Sequence, residues 1–123
     1  MFAENFEDLR IWQDARKLVK EIYEAFNSCR DYSFRDQIQR AAIAVMNNIA
    51  EGFGRKTKKD FARFLDLAKG SCNELKSMTY DSEDLNYLTT SNANELRNHL
   101  TPLILSIGAL ASKLRQQLHC QKQ

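Results

Sequence analysis

Five basic side chains lie close together in the middle of the sequence. They are Arg55, Lys56, Lys58, Lys59 and Arg63, and we call them the basic corner. Over residues 52–63 they are opposed by one carboxylate, Asp60, so this segment carries a local charge of +4 in a chain whose net charge is +2. Guanidinium and ammonium groups are the side chains that proteins place against phosphate. The segment is therefore a candidate contact with RNA or DNA, and the alternative is a solvated loop with ordinary surface lysines.

A second polar group lies within an apolar segment rich in alanine and isoleucine. Its members are Arg40, Asn47, Asn48 and Glu51. Three of them are seven and four residues apart, which places them on one face of a helix. Polar residues in an apolar seam can fix helix register and oligomeric state. We therefore expect a buried or interfacial hydrogen-bond network here, and the alternative is a ligand pocket.

The sequence contains no constellation of residues that indicates catalysis. Glu95 and His99 are the nearest approach to the Glu-x-x-His pair of di-metal bundles, but their spacing is one residue too long. His119 is the second of two histidines, too few for a histidine-rich metal site. The motifs of P-loops, zinc proteases and serine hydrolases do not occur. We predict a protein that is not an enzyme and that uses no metal and no cofactor.

The cysteines and the hydropathy pattern indicate a cytoplasmic protein. Cys29, Cys72 and Cys120 are odd in number and form no CxxC pair, which argues against a disulfide framework or a zinc ribbon. Cys72 is interpreted as a small buried hydrophobe. The first residues lack the apolar segment of a secretion signal. Residues 98–112, the longest stretch without charge, are too short to cross a membrane.

Composition and spacing predict the elements that must position these side chains. The chain has 123 residues, of which 28% are charged and 43% hydrophobic, with one proline and four glycines. Apolar residues recur three and four positions apart over residues 7–26, 34–53, 58–85 and from residue 92 onward. These segments predict one all-α domain over residues 1–123, an up-down-up-down antiparallel four-helix bundle.

Details of the helices follow from the same patterns. The predicted N-caps are Ser33, Thr57 and Asn92. A second stripe on the third helix is predicted to widen its buried face, at Phe64, Leu67, Ser71, Met78 and Leu85. We expect a close helix crossing at Gly70, a kink rather than a break at Pro102, and a frayed tail from Gln116. Residues 34–53 are apolar nearly all round, which indicates a central helix or one covered by another subunit.

Four segments of the chain resemble a known family. They are FEDLRIWQ at residues 6–13, QIQRAA at 37–42, NIAEGFGR at 48–55 and FARFLDLAKGSCNEL at 61–75. The sequence is similar to small four-helix-bundle proteins encoded in intervening sequences of 23S rRNA genes, also called S23 ribosomal proteins. It departs from the family pattern at Gln39, usually basic, and at Ala44 and Met46, where serine and proline are usual.

The resemblance implies a left-handed antiparallel bundle that assembles as a homo-oligomer, a ring of five copies. Proteins related to this family resemble the accessory factor of diversity-generating retroelements, a basic ring that binds nucleic acid and a reverse transcriptase. In this chain only the basic corner corresponds to such a surface. Two functions are therefore expected, an oligomeric structural or interaction module with a protein partner, or alternatively an RNA- or DNA-binding accessory protein.

Overall fold

The computed structural model describes the backbone of residues 3–122 and the side chains of residues 3–118. A short 3-10 turn, Phe6–Asp8, precedes four α-helices: α1 (Arg10–Ala25), α2 (Tyr32–Phe53), α3 (Lys58–Asp84) and α4 (Thr90–Lys122). The described residues contain no β-strand. The predicted all-α four-helix bundle is thereby confirmed. None of these helices is both long and apolar enough to cross a membrane.

The contacts between α2 and α3 show how these two helices run. Gln37, near the start of α2, donates a hydrogen bond to Glu74 in the second half of α3, with 3.3 Å between Nε2 and Oε2. Gly52, at the end of α2, lies against Phe64 in the first half of α3. The two helices therefore run in opposite directions, and the turn that joins them holds part of the basic corner.

Helix α4 packs along α3 in the opposite direction. Arg97, in the first third of α4, donates a hydrogen bond to Thr79 in the last two turns of α3, over 3.2 Å. Arg115, farther along α4, pairs with Asp66 in the first half of α3. Helix α1 packs against both α2 and α4, so the four helices enclose one core.

One apolar core fills the bundle, and each helix contributes a stripe to it. Side chains that are completely or almost completely buried include Ala15, Leu18, Ile22, Ile38, Val45, Ile49, Leu65, Cys72, Leu75, Leu100 and Ile107. Within α1, Trp12 and Val19 are half-buried and lie at the edge of the core. Burial of Cys72 agrees with its interpretation as a small buried hydrophobe.

The helix starts agree with the sequence prediction at α3 but not at α2. The Thr57 hydroxyl accepts a hydrogen bond from the Asp60 backbone N–H over 3.1 Å, so Thr57 is the N-cap of α3, as predicted. The predicted N-cap of α2, Ser33, is wrong. Asp31 takes that place, since its carboxylate accepts from the Phe34 backbone N–H over 3.2 Å.

Helix α4 begins earlier than predicted. The Thr89 hydroxyl accepts a hydrogen bond from the Asn92 backbone N–H over 3.1 Å, so Thr89 and not Asn92 lies at the cap position. The helix passes through Pro102 without ending there. The helix extends through Gln116, from which we expect the tail to fray, as far as Lys122.

Two further expectations for α3 are wrong. A Cβ atom built at Gly70 would meet no neighbour within 4 Å, so no close crossing occurs there. The close crossing lies at Gly52, where a Cβ atom would be 2.6 Å from the Cβ atom of Phe64. Leu67 and Leu85 are 48% and 52% exposed, so the second stripe of α3 is buried only in part.

Candidate nucleic-acid interface

The basic corner lies at the end of the bundle where α2 turns into α3. Arg55 and Lys56 belong to the turn, and Lys58, Lys59 and Arg63 belong to the first two turns of α3. Lys58 is partly buried and the other four are exposed. The structure thus brings all five predicted residues to one end of the molecule, where the unpaired N–H groups of α3 add to the positive potential.

The two arginines of the basic corner are positioned by the same aromatic ring. The guanidinium carbons of Arg55 and Arg63 lie 4.6 and 4.7 Å from the centroid of the Phe64 ring. Each arginine also has a carboxylate nearby. Arg55 Nη2 is 3.6 Å from Glu51 Oε1, and Arg63 Nε is 3.9 Å from Asp60 Oδ1. These separations exceed the 2.7–2.9 Å typical of a charge-assisted hydrogen bond.

The three lysines of the basic corner differ from the arginines in their charge environment. Among the described side chains, no carboxylate lies within 4.0 Å of Lys56, Lys58 or Lys59. Their ammonium charge is therefore compensated by solvent rather than by the protein. One of these charges lies in the turn between α2 and α3 and two lie in the first turn of α3, and together they add to the positive potential of the basic corner.

Aromatic side chains at the end of α2 and the start of α3 pack next to the basic corner. The rings of Phe53 and Phe61 meet edge to face, with centroids 5.9 Å apart. Phe61 is half-buried and packs against the core. Phe64 is almost fully buried, and its Cβ atom lies where Gly52 leaves room for it. The end of α2 and the start of α3 are thus held closely together.

The polar group of α2 does not form a buried network within one chain. Arg40, Asn47 and Glu51 are exposed, and Asn48 is half-buried. The described contacts include no hydrogen bond between any two of them, so of the two expected forms the buried one is not formed within one chain, and the interfacial one stays a prediction. Arg40 lines an open cavity of about 550 Å³ between α2 and α3. This group lies on the outward face of α2, where another molecule can reach it.

Sequence reasoning missed a buried arginine that joins α3 to α4. Arg97 is 9% exposed and donates hydrogen bonds to Thr79, Glu83 and Asn94, while its guanidinium carbon lies 4.1 Å from the Tyr80 ring centroid. The hydrogen bond from Arg97 lowers the pKa of Glu83. These residues come from two helices, and no spacing in the sequence indicates that they meet. The cluster is structural, because each member has a partner within the protein.

A second hydrogen bond that the sequence did not predict lies at the opposite end of the bundle. The Tyr87 hydroxyl donates to Asp31 over 2.6 Å and so connects the α3–α4 turn to the start of α2. This bond raises the pKa of Tyr87 to about 12 and, together with the Phe34 backbone N–H, lowers the pKa of Asp31. The Tyr87 ring packs edge to face on Phe34 at 5.2 Å.

The histidine considered above as a metal ligand has another partner. His99 Nδ1 lies 2.7 Å from Glu21 Oε2 and so bridges α4 to α1. The described residues contain no group of three or more potential ligands that could hold a metal ion. Cys29 and Cys72 have free thiols, and burial raises the pKa of Cys72 to about 12, which disfavours its thiolate. The Cys120 and His119 side chains lie outside the described part of the chain.

Comparisons with known proteins agree with this architecture. The sequence model of the 23S rRNA-intervening sequence protein family matches residues 7–109. The fold is similar to the crystal structure of a protein of unknown function from the S23 ribosomal protein family of Bacteroides thetaiotaomicron, with a TM-score of 0.77 and 18% identity. The alignment covers 82% of this chain and 97% of that one. No curated protein matches the sequence. Since the family match extends over most of its length, the chain belongs to the 23S rRNA-intervening sequence protein family.

Proposed function

We propose that this protein is a non-catalytic helical module that assembles with further copies of itself in the cytoplasm. The outward face of α4 carries this proposal. Leu105 is 68% exposed, and it lies in the middle of residues 98–112, which contain no Asp, Glu, Lys or Arg although 28% of the chain is charged. Thr101, Ala109 and Ser112 are exposed on the same face. A helix face without charge can be covered by protein at a low desolvation cost.

A ring of five copies, which the family resemblance implies, is the assembly that we propose. Each copy in a ring contributes two different surfaces. The face of α4 around Leu105 is one, and the outward face of α2 is the other. There Arg40, Asn47 and Glu51, with half-buried Asn48 beside them, have side chains available for hydrogen bonds to a neighbour. The polar group would then form its network between chains rather than within one.

Light scattering at micromolar concentration tests this assembly. We expect a mass five times the 14.3 kDa of one chain. A Leu105→Asp variant should be a folded monomer, because it places a charge in the covered face. Leu85→Asp is the matched control, since Leu85 is 52% exposed but lies at the end of α3. A wild-type protein that is monomeric, or a Leu105→Asp variant that assembles like the wild type, contradicts the proposal.

Nucleic-acid binding through the basic corner is the second candidate function. The observation that favours it is the absence of carboxylate partners for Lys56, Lys58 and Lys59 among the described side chains. Their charge is free to pair with backbone phosphates and to release counterions. A ring would repeat this surface in every copy. The ligand in this proposal is RNA or DNA bound with little base selectivity.

Charge reversal tests the second candidate. Lys58→Glu combined with Lys59→Glu should abolish retention of a 20-nucleotide RNA at about 50 mM salt, where phosphate contacts are strong. The control variant, Lys17→Glu with Lys20→Glu, makes the same change in net charge on exposed positions of α1 and should bind like the wild type. Equal loss in both variants would mean that only net charge matters. No retention by the wild-type protein would refute nucleic-acid binding.

A further inference from the structure

We propose that Arg55 and Arg63, held on the ring of Phe64, form a phosphate-binding fork. The inference rests on the proposed nucleic-acid contact and names the chemical group that is bound and the side chains that bind it. The fork is defined by these two arginines and their common ring. Lysines of the basic corner supply long-range charge, whereas the fork supplies directed hydrogen bonds.

The geometry brings together two guanidinium groups from different segments. Arg55 belongs to the turn after α2, and Arg63 belongs to the second turn of α3. Both guanidinium carbons nevertheless lie within 4.7 Å of the Phe64 ring centroid. Two like charges held within 4.7 Å of one ring centroid repel each other, and an anion bound next to them offsets that repulsion. An arrangement of this kind is suited to a ligand with several negatively charged oxygen atoms.

The ring that carries the arginines is itself fixed. Phe64 is 7% exposed, and its Cβ atom lies against Gly52, which has no side chain to displace it. A cation–π contact with Phe64 uses none of the N–H donors of either guanidinium, so these donors stay available for a ligand. The two side chains are therefore ordered in advance, so less rotamer entropy is lost when phosphate binds.

Two carboxylates accompany the fork and oppose an anion. Glu51 lies 3.6 Å from Arg55 and Asp60 lies 3.9 Å from Arg63, each measured to one nitrogen of the guanidinium. All four side chains are exposed, so these contacts are weak and exchange with solvent. Each arginine retains further donors for a ligand. Removing the negative charge of Asp60, which lies outside the face of α2 proposed for assembly, should therefore tighten phosphate binding.

The ligand group is a phosphate, which has two sources. It can belong to the backbone of a nucleic acid, or it can be a free anion such as inorganic phosphate. Planar guanidinium donors engage two phosphate oxygen atoms at once, whereas an ammonium group acts as a point charge. The decisive test is therefore the replacement of arginine by lysine, which keeps the positive charge and changes the geometry of the N–H donors.

The test is the double variant Arg55→Lys with Arg63→Lys, which leaves the net charge and the buried Phe64 unchanged. Fluorescence anisotropy with a labelled single-stranded 20-nucleotide RNA should show about tenfold weaker binding for this variant. The slope of log affinity against log salt should stay the same, since the number of charges is unchanged. Wild-type affinity in the double variant overturns the fork, while binding by the wild-type protein still supports the nucleic-acid contact.

Inorganic phosphate separates the two sources of the ligand. If the wild-type protein binds phosphate but not RNA, and the double variant loses phosphate binding, the fork stands and the nucleic-acid contact is refuted. If it binds neither, both are refuted. Asp60→Asn, which removes the carboxylate next to Arg63 and leaves the outward face of α2 unchanged, should bind either ligand more tightly than the wild type. Glu24→Gln, an exposed position at the other end of the bundle, is the control and should not change affinity. Unchanged affinity in Asp60→Asn counts against the fork.

Discussion

Tyr87 and Asp31 connect two separate turns at the end of the bundle that lies opposite the basic corner. The Tyr87 hydroxyl donates to one carboxylate oxygen of Asp31 over 2.6 Å, while the other oxygen accepts from the Phe34 backbone N–H at the start of α2. One carboxylate thus caps a helix and binds the turn between α3 and α4. This one side chain therefore joins the start of α2 to the turn between α3 and α4.

The stability of this connection should depend on pH in a defined way. The pKa of Asp31 is lowered in the folded protein, so its contribution is present above the ordinary value of 3.8 and is lost as the pH falls through the folded value. The pKa of Tyr87 is raised to about 12, so its contribution is complete below its ordinary value of 10 and is lost as the pH rises through about 12.

Urea unfolding of the wild type and a Tyr87→Phe variant measures this effect. The variant should be less stable than the wild type between about pH 5 and pH 9, and the difference should shrink as the pH falls below 3.8 and through the lowered pKa of Asp31. Tyr23→Phe is the matched control, since it removes the hydroxyl of an exposed tyrosine on α1 that makes no hydrogen bond among the described side chains. A difference between wild type and Tyr87→Phe that is constant over the whole range would refute the assignment.

Gly52 and Gly70 both lie in helices, but they differ in how closely a neighbouring helix approaches them. At Gly52 the end of α2 meets α3 so closely that a Cβ atom would lie 2.6 Å from the Phe64 Cβ atom, which neither main chain can avoid. At Gly70, in the middle of α3, nothing lies within 4 Å of the same position. The first glycine allows the helices to approach, and the second leaves α3 locally weaker than alanine would.

Alanine substitution at the two positions should change stability in opposite directions. Gly52→Ala should lower the free energy of unfolding by about 1–3 kcal/mol, because the added methyl group overpacks the contact with Phe64. Gly70→Ala should raise it by about 1 kcal/mol through better helix propensity in the isolated chain. Chemical denaturation of both variants at equal concentration checks this. Destabilisation by Gly70→Ala would indicate that another copy covers this part of α3.

The spacing of the apolar residues was sufficient to predict the four helices. It was not sufficient to predict which residues at the edge of each apolar stripe are covered by a neighbouring helix. Leu67 and Leu85 fit the α3 stripe by spacing, yet both are about half exposed, and Leu85 lies one residue beyond the end of α3. Similarly, Ser33 and Asp31 are both good capping residues, and the additional bond from Tyr87 favours Asp31. Tertiary contacts decide which residues are buried and which residue caps a helix, and the local sequence pattern does not show these contacts.

The candidate site could also be predicted only in part from the sequence. The density of charge between Arg55 and Arg63 identifies the basic corner from the sequence. That both arginines lie on the ring of Phe64 could not be predicted, because one is in a turn and the other in a helix. The buried cluster around Arg97 could not be predicted either, because its side chains come from two different helices.

At the scale of the whole molecule, charge and assembly are connected. The chain carries a net charge of only +2, and the basic corner accounts for a local +4, so the rest of the protein is slightly acidic. A single copy therefore presents a small positive surface next to a larger, slightly acidic one. Assembly into a ring multiplies the small surface, and a long nucleic acid can then contact several copies at once.

Salt dependence connects the two proposed functions in one measurement. For a single-stranded RNA, log affinity should fall linearly with log salt, with a slope of about −0.7 for each phosphate contact. The assembled wild-type protein engages several basic corners, whereas monomeric Leu105→Asp, altered on α4 and not at the basic corner, engages one. The variant should therefore bind more weakly and with a shallower slope, and Leu85→Asp should behave like the wild type. Equal affinity and slope in wild type and Leu105→Asp would show that one copy makes all the contacts, and assembly would then serve a purpose other than binding nucleic acid.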